Sequence, residues 1–195
     1  MKSKHAYFEA EMVHDDETIR LMFKTEYYTY EKTRLLARYA LAVALIAAAL
    51  LGGLPTIVQA ICLMIGAWLF AAPDFLSKVR AEGVIQQRGG QTSSVQMTFD
   101  DKKIGIGNGL TIAYDEIDRL IEDDRYYYIF RDKQTAVMVL KGGVSGGSEE
   151  DFRTHIEQRT GKMFAANKSI LTMNLKDVLH MLRSEMAQKK AQKRR

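Results

Sequence analysis

No charged residue occurs between Arg38 and Asp74, which leaves 35 uncharged positions from Tyr39 to Pro73. Drawn as one helix, this stretch is about 52 Å long at 1.5 Å per residue, against a hydrocarbon core of about 30 Å. One crossing is too long. Two crossings of about 17 residues each fit the short end of the spanning range. The break between them falls at Leu50-Leu51-Gly52-Gly53-Leu54-Pro55-Thr56. Gly52 or Gly53 can take the left-handed position that ends a helix, and Pro55 suits the first turn of the next. Ala42, Ala44, Ala47, Ala48 and Ala49 offer small side chains for close helix packing. Trp68 and Phe70 stand near the far end, where aromatic rings favour the membrane interface. A buried hairpin in a soluble protein is the bland alternative, but a soluble helix keeps a polar face and neither half has one.

Basic residues orient such a hairpin. Lys32, Arg34 and Arg38 precede it, Lys78, Arg80 and Arg88 follow it, and the connecting turn is uncharged. The positive-inside rule places both ends in the cytoplasm. The N-terminal segment and everything after residue 74 then share one compartment and can fold together. Met1 to Glu31 is charged and lacks an apolar core, so it does not read as a cleavable signal peptide. A net charge of +4 over 195 residues fits an anionic surface without separating lipid from nucleic acid. The single cysteine, Cys62, excludes an intrachain disulfide and a cysteine zinc site.

The chain divides into a cytoplasmic strand and helix (1–36), a two-helix transmembrane hairpin (37–73), a β-rich domain (82–162), and an amphipathic helix with a basic tail (163–195). Residues 4–13 alternate loosely and predict a strand; Asp15 and Asp16 open a helix through Met22 and Phe23. Glu82 to Gln91 reads as a bridge. Strands are expected at 95–99, 104–106, 110–114, 117–121, 126–130 and 136–140, separated by turns at Asp100–Lys103, Gly107–Gly109, Asp123-Asp124 and Asp132-Lys133. This spacing predicts an antiparallel meander. Ser145 to Ser148 breaks the pattern. Ser148 caps a helix with Glu149, Glu150 and Asp151 in its first turn, Phe152 and Ile156 on its apolar stripe, and Gly161 at its end. A second helix starts near Asn174, with Leu175, Val178, Leu179, Leu182 and Met186 at helical spacing.

Chemistry-bearing motifs are sparse. His5, His14, His155 and His180 show no metal-ligand spacing. Gly105-Ile106-Gly107-Asn108-Gly109 does not match the dinucleotide fingerprint and lacks a following helix, so it reads as a β-turn. Asp123-Asp124 and Glu149-Glu150-Asp151 sit where solvated acids serve turns and caps. No Ser-His or Cys-His arrangement is apparent. Catalytic, cofactor and metal sites are therefore all expected to be absent. Tyr126, Tyr128 and Phe130 share one face of a strand flanked by Arg125, Arg131 and Lys133. Bases could stack there, but packing is the commoner use of such tyrosines, and no nucleic acid is expected. The basic tail offers Lys189, Lys190, Lys193, Arg194 and Arg195. Near an anionic leaflet each such charge contributes about 1 kcal/mol. These five residues, with Arg125 and Arg131, are the candidate lipid- or partner-binding residues.

The segments Ile112-Ala113-Tyr114-Asp115-Glu116-Ile117, Tyr126-Tyr127-Tyr128-Ile129-Phe130, Ala136-Val137-Met138-Val139-Leu140-Lys141 and Glu150-Asp151-Phe152 resemble the YcxB-like family of bacterial membrane proteins. The resemblance extends over nearly the whole chain, to about residue 160. It departs at Tyr114, where the family often has Trp, and at Val139-Leu140-Lys141, where it often has Ile-Pro-Lys. It implies an α+β protein whose cytoplasmic domain has a pleckstrin-homology-like shape, an antiparallel sheet closed by a helix. It carries no activity. The expected protein is a non-enzymatic, multi-pass protein of the bacterial inner membrane, crossing the bilayer twice with both termini cytoplasmic. Its domain would bind a protein partner or itself. An anionic-lipid sensor and a small oligomeric transport or pore subunit are the alternatives.

Overall fold

Asp15 starts a helix by a reciprocal capping box. Its carboxylate accepts from the Thr18 backbone N–H at 2.8 Å, and the Thr18 hydroxyl oxygen accepts from the Asp15 N–H at 2.8 Å. Ser148 and Asp151 repeat the device at the last helix. The computed structural model describes residues 7–107 and 109–167 and is a mixed α+β structure. Its elements are β1 (Phe8–His14), α1 (Asp16–Tyr30), α2 (Lys32–Leu51), α3 (Thr56–Ala71), α4 (Phe75–Arg88), β2 (Ser93–Phe99), β3 (Lys103–Ile106) and β4 (Leu110–Ala113). A 3-10 turn (Tyr114–Glu116) follows, then β5 (Arg119–Glu122), β6 (Tyr126–Phe130), β7 (Ala136–Leu140), β8 (Val144–Ser145), α5 (Glu149–Thr160) and β9 (Ala165–Ala166).

The strands form two sheets, β4-β3-β2-β1-β8 and β7-β6-β5-β9. β1 precedes the first four helices in sequence, yet it lies inside the first sheet between β2 and β8. It pairs antiparallel with β2 from Phe8↔Phe99 to His14↔Ser93. The expected meander is thus corrected at two points. The N-terminal strand enters the sheet, and β9 runs parallel to β5 while the other pairs are antiparallel. The short β8, in the stretch expected to break the pattern, pairs Glu9↔Ser145 and Ala10↔Val144.

The core lies between the sheets and α5. Phe99, Ile104, Tyr128, Ile129, Val139, Phe152 and Ile156 are fully buried. Phe152 packs its ring on Phe8, Phe99 and Tyr127, at 5.5, 4.9 and 5.6 Å between centroids. Every residue of β6 is buried. An open tyrosine face on that strand is therefore excluded. Phe152 packs on Tyr127, and α1 brings Tyr30 onto Phe130 at 5.6 Å.

α2 and α3 pack antiparallel. Leu35, Ala42 and Ala49 are the buried residues of α2, seven apart and so on one seam. Opposite them a Cβ on Gly66 would sit 2.8 Å from Ile46 Cγ1 and 3.2 Å from the Ala42 carbonyl, so the absence of a side chain sets this close approach. Gly52 donates its N–H to the Ala48 carbonyl at 2.9 Å, and Gly53 takes the left-handed φ of 58°. Pro55 stands one position before the first turn of α3 rather than inside it. By length and composition α2 alone suffices to cross a membrane. α3 has 16 residues, and with α4 it forms a pair bent by 60°. The stretch expected as a bridge, Glu82 to Gln91, is the second half of α4 and its end. Ser77, Ala81 and Ile85 recur at helical spacing and are buried, Ala81 and Ile85 in one cluster with Ile19 of α1.

Candidate functional site

The described residues with most charge under cover lie where α1, α2 and α4 meet the β-domain. Glu26, Glu31, Asp74, Thr25, Thr29 and Ser77 are all buried. Such carboxylates persist because each is paired. Glu26 holds Arg80 at 3.2 Å, Glu31 holds Arg34 at 3.2 Å and also Lys133, and Asp74 holds Lys78 at 3.2 Å. The Lys133 contact, ahead of any other influence, lowers the Glu31 carboxyl below its usual range. Burial, then the Asp74 charge, pushes the Tyr28 hydroxyl up to about 12. Around this hub the N-terminal helix is fastened to the β-domain. Tyr30 donates to Asp118 at 2.8 Å, Arg119 to the Thr29 carbonyl at 3.0 Å, and Asn167 to Thr25 at 3.0 Å. Arg20–Glu82 at 2.7 Å and Arg88 to the His14 carbonyl at 2.9 Å tie β1 and α1 to α4. The arrangement fixes position; it leaves none of these carboxylates unpaired for acid–base work.

Of the predicted binding residues, Arg125 and Arg131 are among the described residues. Arg125 pairs with Glu17 at 2.6 Å and lies 5.4 Å over the Tyr126 ring. Arg131 pairs with Glu116 at 3.1 Å. They flank opposite ends of β6, about 20 Å apart at 3.3 Å per residue. Lys189, Lys190, Lys193, Arg194 and Arg195, the helix expected from Asn174, and the start of the strand expected at residues 4–13 lie outside the described residues.

Three residues of the acidic clusters, Asp123, Glu149 and Asp151, hold a turn, a tyrosine and a helix cap. Asp123 accepts from the Arg125 and Tyr126 N–H groups at 2.9 and 2.8 Å and from the Tyr128 hydroxyl at 2.6 Å. Glu149 accepts from Tyr127 at 3.1 Å, and Asp151 caps α5. His155 sits among Tyr7, Phe8 and Tyr114, with its Nε2 3.3 Å from the Tyr114 hydroxyl. Burial lowers its pKa first of all, and lowers that of His14 likewise. Among the described residues no three His, Cys, Asp or Glu side chains are grouped to hold a metal.

Two open surfaces stand out, one at a sheet edge, the class of surface favoured for contact from the sequence, and one on α4 that was not singled out there. β4 ends the first sheet, and its Leu110 is 70% exposed. The first turns of α4 expose Phe75, Leu76 and Val79. The spacing of these three, interleaved with Lys78 and Arg80, was the available signal, but no element is expected from the sequence at residues 74–81, and Glu82 to Gln91 reads there as a bridge.

A model of the YcxB-like protein family matches residues 99–156. The match runs from the last residue of β2 into α5. It is narrower than the resemblance drawn from the sequence, since it leaves out the four helices between β1 and β2. Comparison with curated proteins returns no match, and neither does comparison with solved structures.

Proposed function

We propose that this chain, YcxB-like over residues 99–156, is a non-enzymatic membrane protein that presents its β-domain as an interaction module at the cytoplasmic face of a bacterial inner membrane. One observation carries the reading. β1, before the helical pair, is hydrogen-bonded along its whole length to β2, after it. Strands cannot pair through a bilayer, so both ends of the pair lie on one side. If α2 crosses, the chain returns, and α3 is the segment available to return it. Basic residues at both ends put that side in the cytoplasm. The hairpin is then an excursion from one loop of a folded domain. The order β4-β3-β2-β1 in one sheet and β7-β6-β5 in the other, with Phe152 of α5 packed on both, supports a pleckstrin-homology-like shape.

The tether raises the local concentration of the domain at the membrane, so a weak interface suffices to recruit a partner or a second copy. The free edge of β4 is the surface best suited to strand addition. A photo-crosslinking residue at Leu110, and another at Gln134 in a distant turn, tests this in intact cells. A discrete adduct from position 110 and none from 134 supports the reading. Background labelling at both positions contradicts it. The basic tail has its own test. Removing residues 189–195 weakens vesicle association if the protein is a lipid sensor, and more at low salt than high.

A further inference from the structure

α4 is apolar on two faces, and among the described residues only one is used. Ser77, Ala81 and Ile85 are buried, and Ala81 and Ile85 pack on Ile19 of α1. Phe75, Leu76 and Val79 are 43%, 53% and 51% exposed and form a second stripe at helical spacing. The helix leaves α3 at a bend of 60°. With α3 along the membrane normal, a helix so bent from it lies at about 30° to the membrane plane, and tilt of α3 raises or lowers that angle. The stripe is continuous with the apolar surface of α3, because the Trp68 and Phe75 rings meet edge to face at 5.7 Å across the bend. Arg38 marks the same level. Its guanidinium lies 5.2 Å over Trp68, and it donates to the Pro73 carbonyl at 3.2 Å. Arg34 and Lys78 project there with side chains 74% and 63% exposed, while the carboxylates they hold, Glu31 and Asp74, are about 10% exposed. The cations thus face outward and the acids inward.

Resting on the membrane reading above, we infer that the first two turns of α4 lie in the headgroup boundary of the cytoplasmic leaflet. Phe75, Leu76 and Val79 enter the acyl region, and Arg34 and Lys78 meet phospholipid phosphates. An interfacial helix has this form, an apolar stripe bordered by cations and aromatic rings. Since the opposite face of α4 carries α1, the contact fixes the tilt of the β-domain against the bilayer.

Trp68 is the single tryptophan of the chain and reports the hairpin. The full chain with Cys62→Ala is placed in vesicles of phosphatidylcholine and phosphatidylglycerol with brominated acyl chains. A polarity-sensitive dye is attached at Leu76→Cys, at Val79→Cys, or at Gln134→Cys as a control. The expected result is quenching of Trp68 together with blue-shifted, quenched dye emission at 76 and 79 and neither change at 134. Quenched Trp68 with unshifted dye at 76 and 79 overturns the inference and leaves the hairpin standing. Blue-shifted dye that bromine does not quench also overturns it, in favour of a second copy covering the stripe. Unquenched Trp68 overturns the hairpin itself, and this inference with it.

Discussion

Glu31 shows how one residue can hold two parts of a protein together. It is buried, ends α1, begins α2, and pairs with Arg34 beside it and Lys133 across the β6–β7 turn. Removing one partner of a covered, hydrogen-bonded charge pair costs about 1.5–3 kcal/mol, whereas an exposed pair is worth about 0–1 kcal/mol. Glu31→Gln should therefore lower thermal stability clearly, and Glu17→Gln, which breaks only the exposed Arg125 pair, should scarcely move it. Differential unfolding of the two variants in detergent checks this. His14 and His155 contribute a pH dependence. Burial lowers the pKa of both His14 and His155, so the folded state prefers them neutral. As pH falls below the ordinary value of about 6.5, the unfolded chain takes up protons first and stability is lost. Above that value their contribution is flat. Thermal unfolding at pH 5.5 should lie below that at pH 7.5, and His155→Gln should narrow the gap. Neither Glu31 nor His155 was legible as a structural residue in the sequence, because each owes its role to groups far along the chain.

At the scale of elements, local signals proved readable wherever they were self-contained. The caps at Asp15 and Ser148 depend on residues three positions apart, and the strands from Val95 to Leu140 depend on alternation and turns. The misreadings share another cause. β8 is two residues long and exists through its partner β1. α4 carries apolar residues on two faces, which blurs its period. β6 alternates on paper, but α1 covers the face that alternation leaves open. The pairing of β1 with β2 is testable by itself. Val13 and Ser94 are directly opposed, and such pairs have Cβ atoms about 4.5–5.5 Å apart. Val13→Cys with Ser94→Cys, in a Cys62→Ala chain, should form an intramolecular disulfide on mild oxidation. Val13→Cys with Gln134→Cys should not. Failure of the first pair to link would remove the strand that joins the two ends of the hairpin.

For the whole molecule, the proposed topology is read from the uncharged stretch and its basic flanks, and the fold adds a consideration that composition lacks. A domain assembled from both sides of the helical pair requires both sides in one compartment. The candidate binding residues were less legible, since a lone arginine such as Arg125 or Arg131 looks the same in sequence whether it awaits a ligand or already holds a carboxylate. The most direct test of the central claim is sidedness. In a Cys62→Ala chain, single cysteines are placed at Thr56, beside Gly53 whose left-handed φ would strain a side chain, and at Gln134 in the β-domain. Intact cells are treated with a thiol reagent that does not cross the inner membrane. Labelling at position 56 in intact cells, and at 134 only after lysis, is the predicted result. Labelling at 134 in intact cells would contradict it, and so would protection of position 56 until lysis.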